Sequence, residues 1–252
     1  LCHCPERILP GDVFEEIVNN VRIIVGMDAK ASHMAKEIYG SFVKGKLYIT
    51  DDVTAEFCKL MENTYRDVNI ALANEFAAVA EGLGVNIMEA IDLANKHPRV
   101  DILNPGIGTG GHCIPIDPWF IKEVDPMNSR LIQTARLIND EVPSKIASKI
   151  RRTLKGIKNP KIITLGITYK PDTYDIRNSP ALKIIDLLRQ DGYKVEAYDP
   201  MVKGYQYTSV EEVAKKADCL IVLVEHRSIK KELTSNKDKI EKAMRHPIII
   251  RF

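Results

Sequence analysis

A single cysteine in a loop rich in glycine and proline is the first candidate for chemistry in the sequence. Residues 104–120 read NPGIGTGGHCIPIDPWF, so Cys113 lies among four glycines and three prolines. Glycine lets the backbone approach a ligand closely, and proline stiffens a loop. A thiol held in this way becomes a nucleophile where a nearby cation favours its thiolate. The alternative is a small buried side chain without a chemical role.

A polar stripe upstream of that loop supplies a candidate cation. Lys59, Asn63 and Arg66 are spaced i, i+4 and i+7 along a segment with a helical pattern, and apolar residues occupy the other side. The amide of Asn63 is suited to orienting the Lys59 ammonium or a substrate hydroxyl. A solvated helix face is the alternative.

Further cationic residues follow predicted helix ends or precede helix starts. His97 and Arg99 occur in HPRV, and Arg177 occurs in RNSP. A guanidinium binds phosphate or carboxylate through two parallel hydrogen bonds, although each of these residues also suits a helix cap or a surface charge. The CHC sequence at residues 2–4 has no second pair of ligands, so it predicts no metal site.

The elements that position these residues fall into three segments of an α/β protein. Residues 1–50 contain a short strand, a helix and a second strand, which suggests the remnant of an N-terminal Rossmann domain. Residues 51–154 predict an all-helical domain, in which 53–81 form a long helix without glycine or proline. Residues 155–252 alternate strands and helices, and the buried run CLIVLV is typical of a Rossmann-like parallel sheet.

Composition narrows the function classes. The 252 residues include 36 Lys and Arg against 34 Asp and Glu, a net charge of +2 that gives no indication of nucleic-acid binding. Five scattered cysteines indicate a reducing, cytoplasmic location rather than a disulfide framework. No apolar run approaches the roughly 20 residues of a membrane span, so we expect no membrane partner.

Five motifs, in this order, resemble the nucleotide-sugar 6-dehydrogenases related to UDP-glucose dehydrogenase. They are CPERILPG at 4–11, AEFCKLMENTYRDVNIALANE at 55–75, HPRV at 97–100, GTGGHCIPIDPWF at 108–120 and LGITYKPDTYDIRNSPA at 165–181. Within the family, GGHC and DPWF look most like the branch that oxidises UDP-N-acetyl-D-mannosamine. Enzymes acting on UDP-N-acetylglucosamine or UDP-glucose are the alternatives.

The resemblance implies both an architecture and a reaction. Family members carry an NAD-binding Rossmann domain, a helical dimerisation domain and a UDP-binding Rossmann-like domain, and they act as homodimers or higher homo-oligomers. They oxidise the C6 alcohol of a UDP-sugar to a carboxylate with two NAD per substrate. By resemblance Cys113 forms the thiohemiacetal and thioester, Lys59 transfers protons and stabilises the oxyanion, and Asn63 orients Lys59. Asp117 and Glu6 match carboxylates that assist the lysine or position water.

The resemblance also implies the ligand contacts. Arg177 matches an arginine that contacts NAD, and Arg99 lies in a segment that the family contributes to the site of the partner subunit. The implied substrate-binding residues are Arg7, Ile8, Lys59, Asn63, Arg66, His97, Arg99, Gly110, Tyr169 and Lys170.

One departure from the family is large, because no GxGxxG motif follows a strand in this sequence. GIGTGG at 106–111 has the glycines without the preceding strand or the following helix. We therefore expect this chain to lack the N-terminal NAD-binding domain and to be inactive by itself. Two other functions stay open: a non-catalytic dimerisation and nucleotide-binding module, and a thiol hydrolase or acyltransferase using Cys113.

Overall fold

The computed structural model describes residues 1–8 and 13–252. These residues form two compact units, Leu1–Tyr65 and Arg66–Phe252. The predicted α/β class is confirmed, with a helical central region and a parallel sheet in the second unit. The last three residues of the CPERILPG motif, 9–11, lie outside the described residues.

The first unit contains a small three-stranded sheet. Its strands are β1 (Cys2–His3), β2 (Arg22–Gly26) and β3 (Leu47–Ile49), its helices are α1 (Val13–Asn19) and α2 (Ala29–Gly40), and the long helix α3 begins in it. Strand β2 is central, antiparallel to β1 and parallel to β3. The apolar runs predict β2, α2 and β3, whereas β1 is too short to give a periodic signal.

Helix α3 (Asp52–Leu83) confirms the predicted long helix. The carboxylate of Asp51 accepts hydrogen bonds at 2.9 Å from Thr54 N and at 2.7 Å from Thr54 Oγ1, which satisfies the first turn. Gly84, with φ +69°, ends the helix. The helices that follow in the second unit are α4 (Ile87–Ala94), α5 (Asp117–Val124) and α6 (Arg130–Thr153).

The second unit ends in a four-stranded parallel sheet. Its strands are β4 (Lys161–Leu165), β5 (Lys194–Tyr198), β6 (Cys219–Val222) and β7 (Ile248–Arg251), in the spatial order β5-β4-β6-β7. The connecting helices are α7 (Pro180–Gln190), α8 (Val210–Val213), α9 (Arg227–Ser235) and α10 (Lys237–Ala243). Because every pairing is parallel, the loops that follow β4, β5 and β6 leave from the same edge of the sheet.

Alternate side chains of the central strands point into two hydrophobic cores, one on each face of the sheet. Ile162 and Ile221 pack with residues of α6 and α7, while Ile163 and Leu220 pack with residues of α8, α9 and α10. This alternation explains the continuous apolar runs, since a strand covered on both faces needs apolar side chains at every position. The second half of α6 thus belongs to the core of the sheet.

Two further properties bear on function. Within the described parts of the chain, no helix combines the length and the apolar character needed to cross a membrane. Among residues 1–8 and 13–252, no cluster of three or more His, Cys, Asp and Glu side chains is arranged to hold a metal ion.

Candidate active site

Two loops of the second unit meet at the candidate nucleophile: the loop 104–116, which carries Cys113, and the loop 166–179, which follows β4. The Gly111 N–H donates to the Arg177 carbonyl at 2.9 Å, and the Asn178 amide donates to the Gly111 carbonyl at 3.0 Å. These bonds hold the backbone beside Cys113 against the segment that carries the predicted residues Tyr169, Lys170 and Arg177.

Gly110 and Gly111 are required by the closeness of this contact. A Cβ atom on Gly110 would lie 2.7 Å from Cδ of Pro180 and 2.8 Å from both the Asn178 carbonyl oxygen and Cβ of Tyr169. Gly111 has φ +94°, and a Cβ there would lie 3.2 Å from the Tyr169 ring. The glycines therefore serve the packing of loop against loop, in addition to any contact with a ligand.

Cys113 occupies a turn that leads directly into α5. Its carbonyl accepts hydrogen bonds from Ile116 N at 2.9 Å and from Asp117 N at 2.8 Å, and its side chain is half-buried. Asp117 is the first residue of α5, and Pro118 follows where a helix tolerates proline. The sequence pattern does not indicate α5, because prolines at 115 and 118 favour a loop.

Charged and ionisable groups surround the meeting point of the loops. The Arg177 guanidinium donates to Asp175 at 2.6–3.1 Å and holds the pKa of that carboxyl at about 2. Burial raises the pKa of the Tyr169 hydroxyl, the charges of Asp175 and of the Cys113 thiolate add to the rise, and the cations of Arg177 and Arg66 oppose it. Five predicted residues, Cys113, Gly110, Tyr169, Arg177 and Arg66, are thus neighbours in one electrostatic environment.

Two asparagines of α3, which the sequence reasoning missed, fix the approach to the loop. Asn69 donates to the Asp101 carbonyl at 2.7 Å and accepts from Leu103 N at 3.0 Å. Asn74 accepts from Gly106 N at 2.9 Å. These amides satisfy backbone groups that an irregular segment cannot satisfy itself, so they fix residues 101–106 to the helix.

A buried ion pair between α3 and α6 was also missed. Arg136 (1% exposed) donates to Asp67 (0% exposed) at 2.5 Å and to the Thr109 hydroxyl at 2.6 Å. Thr109 and Asn139 also donate to the same oxygen of Asp67, at 3.1 and 2.9 Å. Burial raises the pKa of Asp67, and the Arg136 guanidinium opposes the rise. Through Thr109 this network reaches the loop four residues before Cys113.

A cavity of about 340 Å³ lies beside the same loop. It is lined mostly by residues of α5, α6 and the start of α7, including Trp119, Arg136 and Lys183. None of the residues predicted to bind substrate or cofactor lines it. The predicted residues at the junction of the two loops therefore lie outside the lining of this cavity.

The first unit holds a separate group of predicted residues. Glu6 accepts from the backbone N–H groups of Arg7 and Ile8 at 2.7 and 2.9 Å, and Arg7 forms an ion pair with Glu62 of α3. Asn63 is 6% exposed and lies one helical turn after Lys59, which is half-buried. The side chain of Glu6 thus fixes the backbone of Arg7 and Ile8, two residues that the resemblance assigns to substrate binding.

His97 and Arg99 lie in the exposed turn that follows α4. The Arg99 N–H donates to Nδ1 of His97 at 3.3 Å, and Val100 N donates to the His97 carbonyl at 3.0 Å. Both side chains project from a tight turn on the surface of the second unit.

The fold and these motifs match one family of dehydrogenases over most of the chain. Residues 53–141 match the central domain, and residues 163–252 match the UDP binding domain, of the UDP-glucose/GDP-mannose dehydrogenase family. The chain is 49% identical to the UDP-N-acetyl-D-mannosamine dehydrogenase of Methanococcus vannielii, and the match covers 99% of this chain and 59% of that relative.

Two solved structures agree with this assignment. The structure of UDP-D-ManNAc dehydrogenase from Pyrococcus horikoshii matches with a TM-score of 0.91 at 47% identity, over 99% of this chain and 60% of that one. The UDP-N-acetyl-mannosamine dehydrogenase of Staphylococcus aureus matches with a TM-score of 0.86 at 41% identity, over 99% and 58%. The chain spans about three fifths of the length of these relatives. With its central and UDP-binding regions both matched, the chain belongs to the UDP-glucose/GDP-mannose dehydrogenase family.

Proposed function

We propose that this chain is the central and UDP-binding part of an NAD-dependent dehydrogenase that oxidises UDP-N-acetyl-D-mannosamine at C6 to the uronate. The observation that carries the proposal is the junction of the Cys113 loop with the loop of Tyr169, Lys170 and Arg177. The substrate is chosen because the relatives named above, at 41–49% identity, carry that activity in their names.

Cys113 is the nucleophile in this proposal. The C6 alcohol first loses a hydride and a proton to give an aldehyde, and the thiolate adds to the aldehyde carbon to give a thiohemiacetal. Loss of a second hydride from carbon and of the hydroxyl proton gives a thioester, and water then cleaves the C–S bond to release the carboxylate and regenerate the thiol. A half-buried thiol in a loop held at both ends is suited to this reaction, because the attacking sulfur must meet C6 in a fixed geometry.

Lys59 and Asn63 are assigned to proton transfer and oxyanion stabilisation. The two residues lie one turn apart on α3, so the amide of Asn63 is placed to orient the Lys59 ammonium. A fixed cation stabilises the negative charge that develops on oxygen in the transition state more than it stabilises the alcohol. Glu6 and Asp117 are assigned to assisting the lysine or positioning water.

The nucleotide diphosphate is assigned to three cationic residues and one tyrosine. Arg7, Arg66 and Lys170 supply positive charge, and Tyr169 supplies an aromatic face. Lys170 Nζ lies 5.8 Å from the centre of the Tyr169 ring, so the two side chains form one surface. Ile8, His97, Arg99 and Gly110 complete the proposed contacts.

The part of the site assigned to NAD in this chain is Arg177. Its side chain is 61% exposed and lies in the loop that is hydrogen-bonded to Gly111. The guanidinium stays charged beside Asp175, which fits contact with an anionic pyrophosphate. NAD, two per substrate, would supply the hydride acceptor. In this proposal Arg177 only binds and orients, and the remaining cofactor contacts come from outside this chain.

A homodimer is proposed on the basis of an apolar stripe on α3. Leu72, Phe76, Val79 and Leu83 are spaced i, i+4, i+7 and i+11, and each side chain is between 42% and 73% exposed. One helix face that exposes four large apolar side chains is typical of a helix that packs against another helix. We expect Phe76→Asp to reduce the sedimentation coefficient of the chain to that of a monomer, whereas the neighbouring exposed change Glu75→Ala leaves it unchanged.

NADH formation by the full-length protein tests the catalytic proposal. The full-length protein means this chain extended by the segments that its longer relatives possess. We expect two NADH per UDP-N-acetyl-D-mannosamine, lower rates with UDP-N-acetylglucosamine and UDP-glucose, and no NADH from the 252-residue chain alone. The change Cys113→Ser is expected to abolish uronate formation, and the matched change at the exposed Cys2, Cys2→Ser, to leave it intact.

Three outcomes would count against the proposal. Full two-step turnover by Cys113→Ser would exclude the thioester. NADH formation by the isolated chain would contradict the assignment of the cofactor to outside segments. Hydrolysis of an ester or thioester without NAD would instead favour a thiol hydrolase.

A further inference from the structure

Three fully buried polar side chains, one of them in the loop 166–179 itself, form a network against that loop. Thr168 follows β4, Asp199 follows β5 and His226 precedes α9, and each is 0% exposed. Nε2 of His226 lies 3.0 Å from Oδ2 of Asp199 and 3.3 Å from Oγ1 of Thr168. On the other side of the ring, Nδ1 lies 2.9 Å from the backbone N of Asp172. None of these residues has a part in the proposed reaction.

The partners of the ring determine where its proton lies. The Asp172 backbone N–H can only donate, so Nδ1 must accept and carries no proton. The proton therefore lies on Nε2, which donates to Asp199. Burial acts to raise the pKa of Asp199, but hydrogen bonds from His226, Ile167 N and Met201 N hold that pKa below its ordinary value. Asp199 is thus a fixed carboxylate that selects the Nε2–H tautomer.

The network holds the loop at two points on either side of Pro171. Nδ1 of His226 holds Asp172, and the Thr168 hydroxyl donates to the Lys170 carbonyl at 2.9 Å. Asp172 has φ +56°, a left-handed conformation that costs a non-glycine residue energy and needs support from its surroundings. Its carboxylate also accepts from Arg227, from the backbone N at 3.0 Å and from Nε at 2.9 Å.

We propose that His226 is a positioning residue of the nucleotide site. As the Nε2–H tautomer fixed by Asp199, it uses Nδ1 to hold Asp172 and so sets the position of the neighbouring Tyr169 and Lys170. The inference rests on the proposed function in one respect, because Tyr169 and Lys170 are assigned there to the uridine diphosphate. His226 itself touches neither substrate nor cofactor in this scheme.

Two substitutions, each of which mimics one ring nitrogen with an amide group, separate the two roles of the ring. The change His226→Asn keeps an acceptor near the position of Nδ1 and loses the donor to Asp199. The change His226→Gln keeps a donor near the position of Nε2 and loses the acceptor for Asp172. Both variants are expected to lower the melting temperature. A matched control, Ile240→Val, removes one methyl group from a side chain that is 1% exposed in the same unit.

Steady-state kinetics of the full-length protein provide the first measurement. We expect His226→Gln to raise KM for the UDP-sugar about tenfold, the effect of losing one hydrogen bond that orders the site, with kcat within about twofold. The Asn variant is expected to keep KM within about threefold, and Ile240→Val to leave both constants unchanged. Equal KM values for the Gln and Asn variants would overturn the proposal, as would a similar rise in KM for Ile240→Val.

Nuclear magnetic resonance of the 252-residue chain provides a measurement independent of turnover. In the wild type, the ¹⁵N shifts of His226 should show an unprotonated Nδ1 and a protonated Nε2, and the Asp172 amide should exchange slowly with solvent. His226→Gln should accelerate that exchange and His226→Asn should not. A wild-type Nδ1–H tautomer, or an unchanged Asp172 exchange rate in the Gln variant, would refute the positioning role. If the wild-type full-length protein forms no NADH, the proposed function fails, and these spectra still decide whether His226 holds the loop.

Discussion

The buried pair of Asp67 and Arg136 leads to a quantitative prediction. The change Arg136→Met keeps an unbranched side chain of similar reach but removes the charge and the hydrogen bonds to Asp67 and Thr109. The third partner, Asp140, is 48% exposed, so its interaction with Arg136 is largely screened by solvent and contributes less than about 1 kcal/mol. The loss of folding stability in the variant therefore comes mainly from Asp67, which would be left as an uncompensated buried charge.

The expected cost follows from that charge. Breaking a buried ion pair on one side costs about 3–5 kcal/mol. Protonation of Asp67 limits the cost, because neutralising an aspartic acid with an unfolded pKa of about 3.9 requires about 4 kcal/mol at pH 7 and about 1.5 kcal/mol at pH 5. In the variant, folded Asp67 keeps its proton at a pH where the unfolded chain has released it. Stability of the variant therefore falls as pH rises, by up to about 1.4 kcal/mol per pH unit in this range.

Urea unfolding followed by circular dichroism at pH 5 and pH 7 provides the assay. We expect Arg136→Met to lower the free energy of unfolding by about 3–5 kcal/mol at pH 7. At pH 5 we expect the decrease to be smaller by about 2–3 kcal/mol. Adding Asp67→Asn to this variant should recover part of the lost free energy of unfolding at pH 7. It should also remove the pH dependence of stability that Arg136→Met introduces. The control Arg152→Met changes an exposed arginine of the same helix and should stay within about 0.5 kcal/mol of wild type. A loss below about 1 kcal/mol for Arg136→Met, or further destabilisation on adding Asp67→Asn, would refute the reasoning.

Three further predictions follow from the loop junction and the cysteines. Gly110→Ala forces a Cβ to within 2.7–2.8 Å of three atoms and should cost about 1–3 kcal/mol in urea unfolding, whereas Gly82→Ala, with no atom within 4 Å, should not destabilise the chain. Because the pKa of Asp175 is lowered to about 2, its pair with Arg177 adds stability above pH 4 that is lost as pH falls toward 2. Asp175→Asn should therefore reduce the drop in urea midpoint between pH 5 and pH 3, and an unchanged drop would contradict this. Burial raises the pKa of Cys219 to about 12, so iodoacetamide at pH 8 should alkylate half-buried Cys113 and spare Cys219 in peptide mapping by mass spectrometry.

Local patterns in the sequence predict most of the secondary structure. The run without glycine or proline at 53–81 predicts α3, and the apolar runs predict β4 and β6, because strands buried on both faces carry apolar side chains nearly throughout. Helices α9 and α10 escape prediction because they are short and highly charged. Helix α5 is not predicted from the sequence because the prolines at its start are typical of a loop, although proline is compatible with the first turn of a helix.

The residue types at the loop junction are also predictable, because the backbone itself imposes them. Gly110 has no room for a Cβ, and Gly111 has a positive φ, so the backbone at this junction favours glycine at both positions. The structural role of Arg136 cannot be predicted from the local sequence, because its partner Asp67 lies 69 residues earlier in the chain. In the sequence alone, an arginine on a helix is more simply interpreted as a surface charge.

The stability of the Cys113 loop therefore depends on elements that no local motif contains. Its start is held by Asn69 and Asn74 of α3, its middle by the pair of Asp67 and Arg136 through Thr109, and its end by the segment before α7. Each contact pairs a polar group of the loop, so we expect the loss of one hydrogen bond to loosen the loop at a cost of about 0.5–1.5 kcal/mol. A GGHC sequence transferred to another scaffold would carry the thiol and the glycines but none of these supports. The geometry that makes Cys113 suitable for attack is a property of the tertiary structure, and the motif records only the part of it that requires glycine.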